Sequence, residues 1–131
     1  MIDVAHPDAN RYLEQQIATA TPAMLTSMLF DALVANSFRA IDLFEAGDKI
    51  SGRRWLIRAQ EIVIELRFSL DAERGGDLAR NLDRIYDFAY QQLLSASSNG
   101  DPSPVRVAVE IITPLRESWR AACVDGGVTV R

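Results

Sequence analysis

Four clusters of turn-forming residues punctuate this chain: Thr21-Pro22, Ala46-Gly47-Asp48, Gly75-Gly76, and the run Ser97-Ser98-Asn99-Gly100-Asp101-Pro102-Ser103-Pro104. Glycine admits backbone conformations that other residues avoid, and proline opens or ends helices. Between the clusters lie four stretches of helical length, rich in Ala, Leu, Arg, Gln and Glu. Their apolar residues recur three and four apart, and none alternates with period two. The pattern predicts four helices and no strands. Short connections favour antiparallel neighbours, so the expected fold is all-α, an antiparallel up-down four-helix bundle. With 131 residues the chain can bury one core, which predicts a single domain over 1–131 with the bundle at 21–123 and a loose tail at 124–131.

The first helix is expected to start with Thr21 as N-cap and Pro22 at the first helical position, and to run to about Ala46. On a helical wheel its charges Asp31, Asp42 and Glu45 gather with Ser27 in one wedge, and apolar residues cover most of the rest. The second helix, about Gly52 to Asp71, carries a core face of Trp55, Ala59, Ile62, Val63, Leu66 and Leu70. Ile57, Ile64 and Phe68 form a separate apolar strip on it, bounded by Arg58, Glu61 and Glu65 on one side and Arg53, Gln60, Arg67 and Asp71 on the other. Such a strip either packs on another helix of the bundle or walls a groove for a partner. The third helix, about Asp77 to Ser97, aligns Leu78, Leu82, Ile85, Ala89 and Leu93, with Tyr86 and Tyr90 at the flank. The fourth, with Ser103-Pro104 as another cap-plus-proline start, aligns Ala108, Ile112, Leu115, Trp119 and Ala122. Pro114 inside it removes a backbone hydrogen bond, so a kink or a break is expected there.

Composition narrows the function. Hydrophobic residues at 48% and charged residues at 24% are globular usage. The 14 basic residues are scattered among 18 acidic ones for a net charge of −4, which argues against nucleic acid as a partner. No apolar run approaches the roughly 20 residues of a membrane span, and Met1 to Pro7 lack a basic start and apolar core of a signal peptide. A cytosolic protein without membrane insertion is therefore expected. The single cysteine, Cys123, allows no internal disulfide, and the single histidine, His6, stands in the N-terminal stretch without a catalytic partner. Gly75-Gly76 follows no strand and precedes no Gly-Lys-Ser/Thr, so it is not a phosphate loop. Glu61 and Glu65 lie one turn apart, but no Glu-x-x-His pair exists to complete a two-metal site. No metal, no cofactor and no catalytic residue is expected, and the chain does not read as an enzyme.

Four stretches in order carry a resemblance: Tyr12 to Ala32 (YLEQQIATATPAMLTSMLFDA), Arg58 to Asp71 (RAQEIVIELRFSLD), Gly76 to Ala96 (GDLARNLDRIYDFAYQQLLSA) and Leu115 to Trp119 (LRESW). Within them Tyr12, Thr19-Ala20-Thr21-Pro22, Leu25, Met28-Leu29-Phe30-Asp31, Ile85-Tyr86-Asp87 and Leu115-Arg116-x-x-Trp119 match a recurrent pattern in order and spacing. The chain thereby resembles the flagellin-specific export chaperones known as the FliS family. It departs from them at Met24, where an acidic or amide residue often completes a capping box, and at Pro114.

The resemblance implies an extra N-terminal segment around Tyr12 to Ile17 beside the bundle. It also implies binding of the C-terminal region of flagellin, protection from premature polymerisation, and delivery to a flagellar export gate protein. On that footing the partner-binding residues are expected to be Ile57, Ile64 and Phe68 as a groove wall, Gln60 and Asn81 as amide donors and acceptors, Tyr86 and Trp119, and Tyr12 and Ile17 in a segment that folds over a groove until the client arrives. Interhelical hydrogen bonding is the competing role for Gln60 and Asn81. A homodimer in the absence of client, or another exported client, would use the same apolar strips.

Overall fold

The structure is a computed structural model that describes Arg11, Glu14, Gln15, residues 21–70 and residues 72–124. Among the described residues from 21 on, the four elements are all helices: α1 (Pro22–Glu45), α2 (Lys49–Phe68), α3 (Ala72–Asn99) and α4 (Ser103–Val124). Each helix packs on two others, α1 and α3 both lying between α2 and α4, so the four close a ring around one core. The antiparallel sense shows in the cross-contacts. Arg53 and Arg67 on α2 meet Ser97 and Asp83 on α3, while Asp31 and Glu45 on α1 meet Arg116 and Arg106 on α4. The up-down bundle expected from the sequence is the fold observed.

Local chemistry explains the helix ends. The Thr21 hydroxyl accepts from the Met24 N–H at 3.2 Å with Pro22 opening α1, as expected of that pair. At the other end Gly47, at φ 85°, lets the chain reverse: its N–H reaches the Phe44 carbonyl at 3.0 Å and that of Asp48 reaches Leu43 at 2.8 Å. This is a Schellman closure, which needs a left-handed residue at that point. Asp48 then caps α2, accepting from the Ser51 N–H at 3.1 Å. Helix α2 thus starts before Gly52, earlier than the sequence pattern suggests.

Gly52 is buried inside α2 because helix α1 comes close there. A Cβ at this position would lie 2.7 Å from Cε1 of Phe44, a buried ring. Gly52→Ala should therefore destabilise the fold. The overpacking penalty of about 1–3 kcal/mol exceeds the gain of about 1 kcal/mol in helix propensity, and a lower urea midpoint with unchanged m-value will show it.

The Gly75-Gly76 pair marks a bend rather than the inter-helix turn. Helical structure already begins at Ala72, and Gly76, at φ 53° and ψ −127°, breaks the helical geometry before the long regular run from Asp77. That backbone conformation is essentially restricted to glycine. Helix α4 corrects one expectation. Ser103 is its first residue rather than its cap, with its N–H held by Asp101 at 2.9 Å. Of the kink or break expected at Pro114, the break does not occur, because the helix continues through it. Pro114 and Glu110, whose carbonyl loses its partner, both lie on the exposed face, where water can take the freed acceptor.

The core is built from Phe30, Leu33, Ile41, Leu56, Val63, Leu66, Leu93, Val105 and Ile112 with small residues between them, notably Ala59, Ala89, Ala96 and Ala108. Ser37 is buried among them and satisfies its hydroxyl by donating to the Leu33 carbonyl at 2.7 Å.

Candidate functional site

Helix α2 has two flanks, and its second apolar strip lies outside the core. Ile57, Ile64 and Phe68 are 52%, 38% and 82% exposed. Ile50, two turns before Ile57 and 68% exposed, extends the strip along nearly the whole helix. Of the two roles open to this strip, packing within the bundle is not the one observed.

Interhelical contacts define what faces it. Arg53 Nε donates to the Ser97 carbonyl at 2.8 Å, and Arg67 binds Asp83 at 2.9 Å and Asp87 at 3.2 Å. These contacts set a register in which Gln60 lies level with Tyr90 and Ile57 level with Leu93 and Leu94 of α3. On the wheel Arg53, Gln60 and Arg67 sit between the core face and the strip, so the strip borders the outer α2/α3 groove. Leu94, 41% exposed, and half-buried Tyr90 supply the opposite wall. At the Phe68 end the groove runs toward a depression of about 310 Å³ lined by Arg67, Leu70, Ala79, Arg80, Asp83 and Arg84. Arg53, Gln60 and Arg67 run along the groove's α2 edge, and the end near Asp83 is charged. The hydrogen bond from Arg67 to Asp83, with the charges of both aspartates, outweighs its partial burial and raises the affinity of the guanidinium for its proton.

The remaining site residues are spread over the molecule. Gln60 is almost buried at the groove edge and makes no side-chain hydrogen bond among the described residues. Asn81 is exposed and equally unbonded, but it does not share that groove. Asp83, two residues on and about 200° around the helix, is the residue that faces α2, so Asn81 lies on the α4 side of α3 with exposed Phe88. Tyr86 is in the core at 4% exposure, its ring 6.3 Å from that of Phe30, and burial pushes its phenol up to about 12. Trp119 is half-buried and donates from Nε1 to the Ala23 carbonyl at 2.9 Å, with its ring 6.5 Å from Phe30. Tyr12 and Ile17 lie outside the described residues. Ile50 and Leu94 were not marked by the sequence pattern. The heptad spacing of Ile50, Ile57 and Ile64 could have found the first, whereas Leu94 emerges only from the α2/α3 register.

Two motifs far apart in sequence meet at the α1/α4 edge. Asp31, from the Met28-Leu29-Phe30-Asp31 run, accepts from Arg116 Nε at 2.6 Å and from Arg120 Nη2 at 2.7 Å, and Trp119 beside them reaches Ala23. Partial burial pushes the Asp31 carboxyl up, but the hydrogen bonds and charges of the two arginines together outweigh it and hold it below the usual carboxylate range. A depressed carboxyl contributes stability above its unfolded pKa and loses it as pH falls through the folded value. Asp31→Asn should accordingly lower the melting temperature at neutral pH, and the gap to the unaltered chain should close as pH drops below the ordinary value of 3.8. Melting curves across that range check it, and a gap that persists in acid would assign the effect to packing.

Comparison with known proteins decides the lineage. The family model for the flagellar protein FliS matches residues 5–126. The chain belongs to the FliS family. The flagellar secretion chaperone FliS of Vibrio cholerae is 32% identical over 108 residues, covering 82% of this chain and 79% of the relative. That of Salmonella typhimurium is 30% identical over 109 residues, covering 82% and 81%, and that of Bacillus subtilis 30% over 111 residues, covering 85% and 82%. A crystal structure of a bacterial flagellar chaperone superposes with a TM-score of 0.73 at 19% identity, spanning 92% of this chain and 98% of the other, which extends the likeness to the fold. The FliS pattern read in the sequence acquires a physical meaning here. Its Met-Leu-Phe-Asp and Leu-Arg-x-x-Trp motifs are the two sides of the clasp that joins α1 to α4.

Proposed function

We propose that this FliS family member is a cytosolic export chaperone that holds the C-terminal region of flagellin as helices in apolar grooves, prevents its premature polymerisation and presents it to the flagellar export gate. The observation that supports this reading best is the line of exposed Ile50, Ile57, Ile64 and Phe68 beside the α2/α3 groove. A monomeric bundle gains nothing from leaving four large apolar side chains in water, whereas an amphipathic client helix would cover them with anchors spaced three, four and seven residues apart. The family names of the relatives supply the flagellar context.

A client that is disordered when free must be ordered as it binds. Such coupled folding commonly buries on the order of 1,000–3,000 Å² and costs about 2–5 kcal/mol of the gross interaction. A long groove suits that task better than a pocket. Chemistry on the client is not part of the proposed role, and among the described residues no group of three or more His, Cys, Asp or Glu side chains is arranged to hold a metal ion.

Titrating the full chain with a peptide of the flagellin C-terminal region should give saturable binding with a gain of helical circular dichroism beyond the sum of the parts. A chain lacking residues 1–17, and with them the Tyr12 to Ile17 segment, should bind more tightly because that segment no longer competes for the groove; equal binding would mean that it does not compete. Absence of binding by the full chain, with a tight dimer in sedimentation, would replace the chaperone by a homodimer using the same strip.

A further inference from the structure

The opposite flank of α2 carries a different kind of surface. Trp55 is half-buried there, and two guanidiniums lie over its ring: Arg39 Cζ from α1 at 4.7 Å from the ring centroid and Arg58 Cζ from α2 at 5.3 Å. Arg54 precedes Arg58 by one turn on the same helix, a spacing at which like charges repel. Most other arginines of the bundle are engaged: Arg67 with Asp83 and Asp87, Arg80 with Asp77, Arg106 with Glu45, Arg116 and Arg120 with Asp31, and Arg53 with the Ser97 carbonyl. Arg39 and Arg58 have no carboxylate within ion-pair distance among the described residues, although Asp42 and Glu61 stand one turn away on their own helices. In a chain of net charge −4, Arg39 and Arg58 stacked on one indole make a small cationic spot, with Glu61 and Glu65 next along α2.

We propose that the Arg39, Trp55 and Arg58 stack is a docking site for an acidic segment of a second protein, one that sets a carboxylate beside an apolar or aromatic side chain. Charge complementarity selects this occupant. A planar guanidinium pre-oriented by an aromatic face offers a forked donor pair that matches a carboxylate. The indole and Ile62, two turns further along the same face, give the neighbouring apolar group somewhere to lie. Nucleic acid and anionic membranes fit less well. Tight duplex binding typically uses on the order of 6–10 phosphate contacts, and recognition of acidic lipid uses about 4–8 clustered basic residues. This flank brings Arg39, Arg54 and Arg58. Trp55 and Ile57 are about 200° apart around α2, so the acidic partner and a helix in the α2/α3 groove can be bound together. The proposal does not depend on the identity of that groove's client.

The test uses the full chain labelled for NMR, reading the indole N–H of Trp55 with that of Trp119 as internal reference. The probe is a synthetic peptide with glutamates on both sides of a phenylalanine, compared with the same peptide carrying glutamines. The acidic peptide should shift the Trp55 signal saturably and leave Trp119 in place. The double variant Arg39→Glu, Arg58→Glu, with unchanged circular dichroism, should weaken that binding roughly tenfold or more while leaving flagellin-peptide binding intact. Should the reversal unfold the chain, Arg39→Gln with Arg58→Gln reads the same charges. No shift, an equal shift with the glutamine peptide, or unchanged affinity in the variants overturns the proposal. So does a stronger response of Trp55 to duplex DNA, to phosphatidylserine vesicles or to self-association seen by sedimentation.

Discussion

Replacing Ile57 and Ile64 together by aspartate should lower affinity for a flagellin C-terminal peptide by roughly a hundredfold or more while the chain stays folded. Burying one isoleucine side chain is worth about 1.5–3 kcal/mol of transfer free energy, and interface anchors of this kind are commonly worth about 2 kcal/mol each on truncation. The aspartates remove that gain and add the desolvation of a carboxylate that finds no partner beneath an apolar helix face. The folded chain has little reason to object. Both residues are exposed, at 52% and 38%, and contribute little to the core. The expected stability loss is about 1 kcal/mol, from weaker helix propensity and repulsion with Glu61 and Glu65. Calorimetric titration beside a melting curve separates the two effects. Full-strength binding by a folded double variant would remove the α2/α3 groove from the binding surface.

The contrast between that groove and the rest of the predicted site shows what a sequence can and cannot carry. The strip on α2 was legible because helical periodicity places Ile57, Ile64 and Phe68 together without knowledge of any other helix. The Thr21-Pro22 start was legible for the same reason, since cap chemistry is local. The partnership of Gln60 with Asn81 was not legible. Whether two residues on different helices share a groove depends on register and rotation, and here Arg67 fixes both by engaging Asp83 and Asp87, which leaves Asn81 on the far side of α3. Gly52 misled for a related reason. As a glycine near a turn it looked like a helix boundary, but its missing side chain answers to the Phe44 ring, a contact no local pattern contains. The early cut concealed Ile50, the first residue of the exposed strip. Tyr86 shows the same limit at the core. The wheel put it at the flank of α3, whereas the structure buries it in the core with Phe30 of α1 packed against it.

Trp119→Ala should cost the fold about 3 kcal/mol, the largest single-residue stability effect expected outside the fully buried core. Complete truncation of a buried aromatic typically removes about 3–5 kcal/mol, and Trp119, being half-buried, belongs at the lower end. The side chain acts in two ways. Its ring packs with Phe30 at 6.5 Å, and its indole N–H holds the Ala23 carbonyl in the first turn of α1. Trp119→Phe separates them by keeping most of the apolar body and deleting the donor, so it should cost about 1 kcal/mol, the net worth of one hydrogen bond. For a domain with a total stability of about 5–15 kcal/mol the alanine change is severe, and the loss should concentrate where α4 meets the start of α1. Hydrogen exchange should therefore quicken first at amides near Met28 to Phe30 and Leu115 to Arg120, before the α2/α3 pair responds. Uniform acceleration along all four helices would instead mean that the α1/α4 edge opens only when the whole bundle unfolds. In the local case, Asp31 and the Leu-Arg-x-x-Trp motif form a seam that can part on its own.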